Sequence, residues 1–140
     1  MKVSAKMDYA VRALVELALH WPDTDPRPIS DISRKAGVPH KFLIHILIAL
    51  KSLGYVHSTR GKAGGYTLTL EPKEINLANV VKQWGGLGSF DEQKRKTKKD
   101  AISLLWGEID KSVIQTLRGV SLEDLCNRWR QQGKTLSYDI

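Results

Sequence analysis

The order of patterns between residues 29 and 70 narrows the fold more than any other feature of the chain. Two helical patterns meet at Gly37, and two short β-branched or aromatic runs follow at once, YVHST (55–59) and YTLTL (66–70), joined by RGKAGG. Such runs on either side of a glycine-rich loop predict an antiparallel hairpin. Ser30 is placed to cap a short helix through Ala36, and Gly37 suits the left-handed residue that ends it. Pro39 opens the next helix in its first turn, where a missing N–H costs nothing. Leu43, Ile46, Leu47, Leu50 and Leu53 make one apolar face of that helix, and Gly54 stops it. Helix, tight turn, helix and hairpin in this order predict a mainly α fold with a small β-hairpin, a winged helix-turn-helix.

The hairpin loop puts Arg60 and Lys62 among Gly61, Gly64 and Gly65, so an anion is its natural partner. A nucleotide is excluded by spacing. A phosphate-binding loop needs a glycine five residues before the one that precedes its lysine, and a helix after it. Val56 stands where that first glycine should be, and a strand pattern follows the loop. A nucleic-acid backbone remains.

Charge distribution points the same way. The 140 residues carry a formal net charge of +7, and from Ile32 to Leu70 there is no Asp or Glu. That window holds Arg34, Lys35, Lys41, Lys51, Arg60 and Lys62, with His40, His45 and His57; the other 101 residues nearly cancel, 16 basic against 15 acidic. Lysine added only for solubility would not be segregated in this manner.

Elsewhere the chain is helical. Ser4 is a plausible cap for a first helix to about His20, with Met7, Ala10, Leu14, Leu17, Ala18 and Trp21 as its buried stripe. WPDTDPRP (21–28) is a loop by its prolines and aspartates. Asn76 caps a helix in which Leu77, Val80, Val81 and Trp84 share a face, ended by Gly85 and Gly86. The polar SFDEQKRKTKKD (89–100) reads as a solvated connection or an extra phosphate-contacting arm. From Ala101 a long helix carries Ile102, Leu105, Ile109, Val113 and Leu117, with Trp106 and Ile114 on an adjoining strip. That is more apolar circumference than one core needs, so a second face is expected to be covered. SLED (121–124) is a capping-box start for a last helix with Leu122, Leu125 and Trp129 on one side.

Several classes are set aside. Cys126 is the only cysteine, so no intramolecular disulfide forms, which fits a reducing compartment. Asp8, Arg12 and Glu16 interrupt the N-terminal apolar residues, unlike a signal peptide, and the apolar run Phe42–Leu50 is too short to cross a bilayer. A cytoplasmic protein without membrane contact is expected. No Ser/His/Asp set, paired carboxylates or metal-ligand spacing suggests an enzyme.

A recognition helix lays its core-averted residues in the major groove. Here those are His40, Lys41, Ile44, His45 and Ile48. Lys41 and His45 can bond guanine O6 or N7, and Ile44 can pack on a thymine methyl. Arg60 is the natural minor-groove or phosphate probe at the loop tip. His40, Lys6, Thr59, Lys62 and Tyr66 are candidate backbone contacts, which position a protein without reading sequence. Gly61, Gly64 and Gly65 would allow close approach and positive φ. Arg34 and Lys35 are either further contacts or a solvated helix face.

MKVSAKMDYAVRALVELA, LIHILIALKSLGYVHSTRGKAGGYTL and INLANVVKQWGG resemble the IscR/NsrR/CymR-type winged-helix transcription regulators, the Rrf family. The similarity is close over 1–86 and looser over 102–125; its most specific part is S-x-R-G-x-x-G-G-Y-x-L, Ser58 to Leu68. It implies a DNA-binding domain (1–86), a basic connection (87–100), and a dimerisation helix with a C-terminal helix (101–140). It further implies a homodimer on a pseudo-palindromic operator of double-stranded DNA, with repression by promoter occlusion. Lys41, Ile44 and His45 match base-reading positions, and Arg60 matches one that enters the minor groove. Ile102, Leu105, Trp106, Ile109, Val113 and Leu117 fall on the family's dimer helix.

One departure is plain. Many members hold an iron–sulfur cluster through three cysteines in the connection, and Gly86–Asp100 here has neither Cys nor His. Asp8 matches a cluster ligand of some members but has no thiolate companions. A cluster held by pooled ligands such as His20 and Cys126 is the weaker alternative, and no cofactor or metal is expected. Cluster-free relatives answer to a regulatory protein partner or another ligand. The rival class is a winged-helix protein-interaction module, docking through Ile44, Ile48 and the long helix.

Overall fold

The computed structural model describes the backbone of residues 3–85 and 100–138, and side chains among these up to Gly133. Its elements are α1 (Ala5–Ala18), α2 (Ile29–Ala36), α3 (His40–Ser52), β1 (Val56–Thr59), β2 (Gly65–Leu68), a 3₁₀ turn (Pro72–Glu74), α4 (Leu77–Gln83), α5 (Ala101–Arg118) and α6 (Leu122–Tyr138). Most of the expected connection lies outside the described residues.

Local chemistry sets most boundaries. The Ser4 hydroxyl accepts from the Met7 N–H at 3.1 Å, and Asn76 Oδ1 accepts from the Ala78 N–H at 3.0 Å, each satisfying an amide the helix leaves unpaired. Ser121 and Asp124 close a reciprocal capping box. The Ser121 N–H donates to Asp124 Oδ2 at 2.9 Å, and the Asp124 N–H donates to Ser121 Oγ at 3.0 Å. Hydrogen bonds from the Ser121 backbone and hydroxyl hold the Asp124 carboxyl below its ordinary value. Gly37 ends α2 in the left-handed region at φ 69°. Ser30 is not the cap of α2. Pro28 is, and its carbonyl accepts from Asp31 and Ile32, so the helix begins two residues earlier than the hydroxyl spacing suggests.

α1, α2 and α3 pack around one core. Leu14, Leu43, Leu47, Leu50 and Leu122 are wholly buried, with Ile32, Val38, Ile46 and Val56 beside them. Each such side chain contributes about 1.5–3 kcal/mol relative to exposure. The α2–α3 turn is tied by Ser33, whose carbonyl accepts from the Val38 N–H at 3.1 Å and whose hydroxyl donates to the Val38 carbonyl at 2.6 Å. Two residues expected in this core lie outside it. Trp21 is 38% exposed, because α1 ends at Ala18 and the proline-bounded turn carries the ring off the helix stripe. Leu53 is exposed as the C-terminal cap of α3, where the chain leaves the helix for Gly54.

The hairpin is antiparallel, pairing Val56 with Leu68, His57 with Thr67, Ser58 with Tyr66 and Thr59 with Gly65. A third segment joins it: Arg27 and Tyr66 exchange backbone hydrogen bonds at 2.9 Å each. This bridge fastens the wing to the α1–α2 loop, and no spacing in the sequence announced it.

The core also crosses the connection. Leu122 and Cys126 of α6 sit in the same buried cluster as α1 and α3. The Leu77 N–H donates to the Val120 carbonyl at 3.0 Å, the Leu122 N–H to the Ile75 carbonyl at 2.8 Å, and Asn76 Nδ2 to the Arg118 carbonyl at 2.8 Å. The α5–α6 junction is thereby locked to the start of α4. Trp129, expected beside Leu122 and Leu125, stands exposed one turn beyond the buried stretch.

Candidate nucleic-acid interface

α3 presents its outward face because Leu43, Ile46, Leu47 and Leu50 all turn into the core. His40, Lys41, Ile44, His45 and Ile48 are consequently exposed, as are Thr59, Arg60, Gly61 and Lys62 in the wing. Lys51, in the last turn of α3, donates from Nζ to Ser58 Oγ on β1 at 2.8 Å. That bond couples helix to wing. Neither residue was singled out from the sequence as such a clamp, although the pairing needed only the hairpin to fold back along the helix.

Ion pairing separates the basic residues into two groups. Among the described residues, Arg12 pairs with Asp8 at 2.8 Å, Arg27 with Asp23 at 3.6 Å, Arg34 with Asp31 at 3.6 Å and Lys73 with Glu71 at 3.2 Å. No acid among the described residues pairs with Lys6, Lys41, Lys51, Arg60 or Lys62. Lys6 lies 5.7 Å from the Trp84 ring and Lys41 lies 5.1 Å from the Phe42 ring, contacts that leave their hydrogen-bond donors available. Lys35, Lys82, Lys111, Arg118, Arg128 and Arg130 also lack an acid partner among the described residues, so what sets α3 and the wing apart is that their cations, Lys41, Lys51, Arg60 and Lys62, stand in the acid-free stretch 32–70. Arg34 is compensated within α2 by Asp31.

The wing glycines work differently from one another. Gly61 turns the tip at φ 110°, with open space where a side chain would be. Gly64 and Gly65 instead approach the protein itself: a Cβ on Gly64 would strike the Thr59 carbonyl, and one on Gly65 the Arg27 carbonyl. The close approach expected toward a ligand is therefore internal at both positions. Tyr66 shares the inward side of the hairpin with Leu68 and packs half-buried against the core. It is set into the body of the protein, which leaves it less free to meet a backbone phosphate than Lys62 or Thr59.

On α5 the six residues expected at a dimer contact divide. Ile102, Leu105 and Ile109 are exposed, whereas Trp106, Val113 and Leu117 are half-buried, and Leu117 touches the core. No residue of α5 is fully buried within the chain.

Fold and site together define a winged-helix, DNA-binding transcription regulator. The family model described as "Rrf2: Iron-dependent Transcriptional regulator" matches residues 3–128. The chain belongs to the Rrf2 family. It is 32% identical over 136 residues to the HTH-type transcriptional regulator IscR of Aliivibrio salmonicida, covering 89% of this chain and 77% of that protein. It is 30% identical over 131 residues to protein rrf2 of Nitratidesulfovibrio vulgaris, covering 89% and 87%. Among solved structures it resembles T. potens IscR (TM-score 0.77, 28% identity, covering 91% of this chain and 88% of that one). It also resembles CymR, the global cysteine regulator of B. subtilis (TM-score 0.72, 27% identity, covering 91% and 98%). These relatives are regulators, and the protein is a transcription regulator, not an enzyme.

The family description names iron, and the residues present do not fit an iron–sulfur cluster. Cys126 is buried in the core, with its Sγ facing the Val15 carbonyl at 3.9 Å; burial raises the thiol's pKa and so disfavours the thiolate a cluster needs. His20 is engaged on both ring nitrogens, by Glu16 at 3.0 Å and by the Arg27 guanidinium. Asp8 is held by Arg12. Among the described residues no group of three His, Cys, Asp or Glu side chains could hold a metal ion.

Proposed function

We propose that this protein is a sequence-specific regulator that binds a pseudo-palindromic operator as a homodimer, without an iron–sulfur cluster, and represses by occluding a promoter in the cytoplasm. The observation that carries the reading is the set of unpaired cations on α3 and the wing, in a 39-residue stretch (32–70) free of acids. α3 enters the major groove. Lys41, Ile44 and His45 meet base edges, Arg60 probes the adjacent minor groove, and Lys6, His40, Thr59 and Lys62 hold phosphates.

Two copies join through the exposed apolar strip of α5, Ile102, Leu105 and Ile109. A two-fold axis then repeats the reading head, and half-sites about one DNA turn apart follow. With no thiolate set for a cluster, the controlling signal comes from a protein partner or another ligand.

Selection from a random DNA pool, with the visible spectrum of the purified protein, tests this. A colourless protein that enriches an inverted repeat is expected. Arg60→Ala is expected to weaken binding to that repeat and to most other sequences by roughly 1–3 kcal/mol, and Lys41→Ala to relax discrimination at one base pair per half-site. A gel shift in which both variants bind as wild type would remove these roles. Little salt-dependent DNA binding would favour a protein-interaction module instead.

A further inference from the structure

We infer that Ile44 and Ile48 form a paired apolar reading edge for the 5-methyl groups of two thymines in each operator half-site. The inference rests on the proposed placement of α3 in the major groove and names what its centre selects.

The two isoleucines lie one turn apart on the outward face of α3, opposite the buried Leu43, Ile46, Leu47 and Leu50. Ile48 is 54% exposed and Ile44 36%. Lys41 precedes them, His45 lies between them and Lys51 follows, with no acid anywhere on the helix. Two β-branched hydrocarbons at the centre of a cationic face need an apolar partner within a polyanionic one. The patch is too narrow and too thickly set with cations for the apolar centre of a protein interface. Duplex DNA supplies both properties, because thymine's methyl is the only apolar group on a major-groove base edge.

Spacing constrains the site. Four residues of helix rise about 6 Å, and base pairs are about 3.4 Å apart, so the two side chains reach methyls separated by at most two steps. Lys41 lies about one turn nearer the helix N-terminus, which sets a guanine at that end and the thymine pair beyond it. Cytosine at either thymine position would leave its amino group against hydrocarbon with no acceptor, so the edge also rejects C·G pairs.

The test uses the full-length protein and the duplex it selects, resynthesised with deoxyuridine replacing thymidine one position at a time. Uracil differs from thymine only by the lost methyl. Wild type should lose about three- to fivefold in affinity at each of two positions per half-site. The Ile44→Ala, Ile48→Ala protein, its fold checked by circular dichroism, should bind thymine and uracil duplexes equally. Its salt dependence should match wild type, since no phosphate contact is removed. If wild type binds every uracil duplex as tightly as the thymine one, the paired edge is refuted while DNA binding stands. If no sequence is selected at all, the proposed function fails first, the inference falls with it, and the isoleucines are left to a protein partner.

Discussion

Glutamates at Leu105 and Ile109 are expected to give a folded monomer that binds the operator about 10²- to 10⁴-fold more weakly than wild type. The size follows from losing the second reading head, whose binding in a dimer is effectively intramolecular. Exposure selects the positions. Ile102 is 65% exposed, Leu105 48% and Ile109 39%, on a helix that buries no residue fully in its own chain. Further along the same side, Ser112 and Thr116 donate their hydroxyls to the carbonyls of Glu108 and Ser112 at 3.0 Å each. They can be covered without leaving an unpaired donor. A two-fold interface places every substitution twice, so two changes set four carboxylates in one apolar seam. The fold should tolerate them, because α5 is anchored from its other side and through the Asn76 bond to Arg118. Sedimentation and a gel shift on the same sample decide it. An intact dimer, or a monomer with undiminished affinity, would refute the assignment of this strip.

Gly65→Ala is expected to destabilise the protein by about 3–5 kcal/mol and to detach the wing. The added methyl meets backbone atoms of Arg27 and Pro28, which cannot rotate aside as a side chain would. Overpacking of this kind costs about 1–3 kcal/mol. Relieving it opens the two Arg27–Tyr66 backbone hydrogen bonds, worth about 1 kcal/mol each. Gly37→Ala is the control: its Cβ would meet nothing within 4 Å, so only the left-handed φ of 69° is penalised, at about 1–2 kcal/mol. Urea midpoints for the two variants should therefore separate clearly. Gly65→Ala should also lose operator affinity beyond its loss of stability, as Arg60 and Lys62 are no longer held near α3. Equal midpoints would mean that the wing shifts without strain and that the bridge contributes nothing.

Features governed by short spacings can be read from residue order alone. Ser4, Asn76 and the Ser121–Asp124 box cap their helices because a side-chain oxygen reaches an amide two or three residues on. The inward face of α3 follows from leucines and isoleucines at helical intervals, and the outward face follows by subtraction. The acid-free window and the glycine pattern were equally legible.

What each face meets depends on how the elements pack together. A stripe can be read from its period, but period does not say where a helix stops, so Trp21 and Leu53 were misplaced in the core. Gly64 and Gly65 carry no sign of the carbonyls they must avoid, and Tyr66 none that it turns inward. The Arg27 bridge, the Lys51–Ser58 clamp and the entry of Leu122 and Cys126 into the core join residues far apart in the chain or in separate elements. Such contacts form only after the elements have packed. Hydrogen bonds a few residues long are written into local sequence, whereas burial depends on which surfaces compete for one another in space.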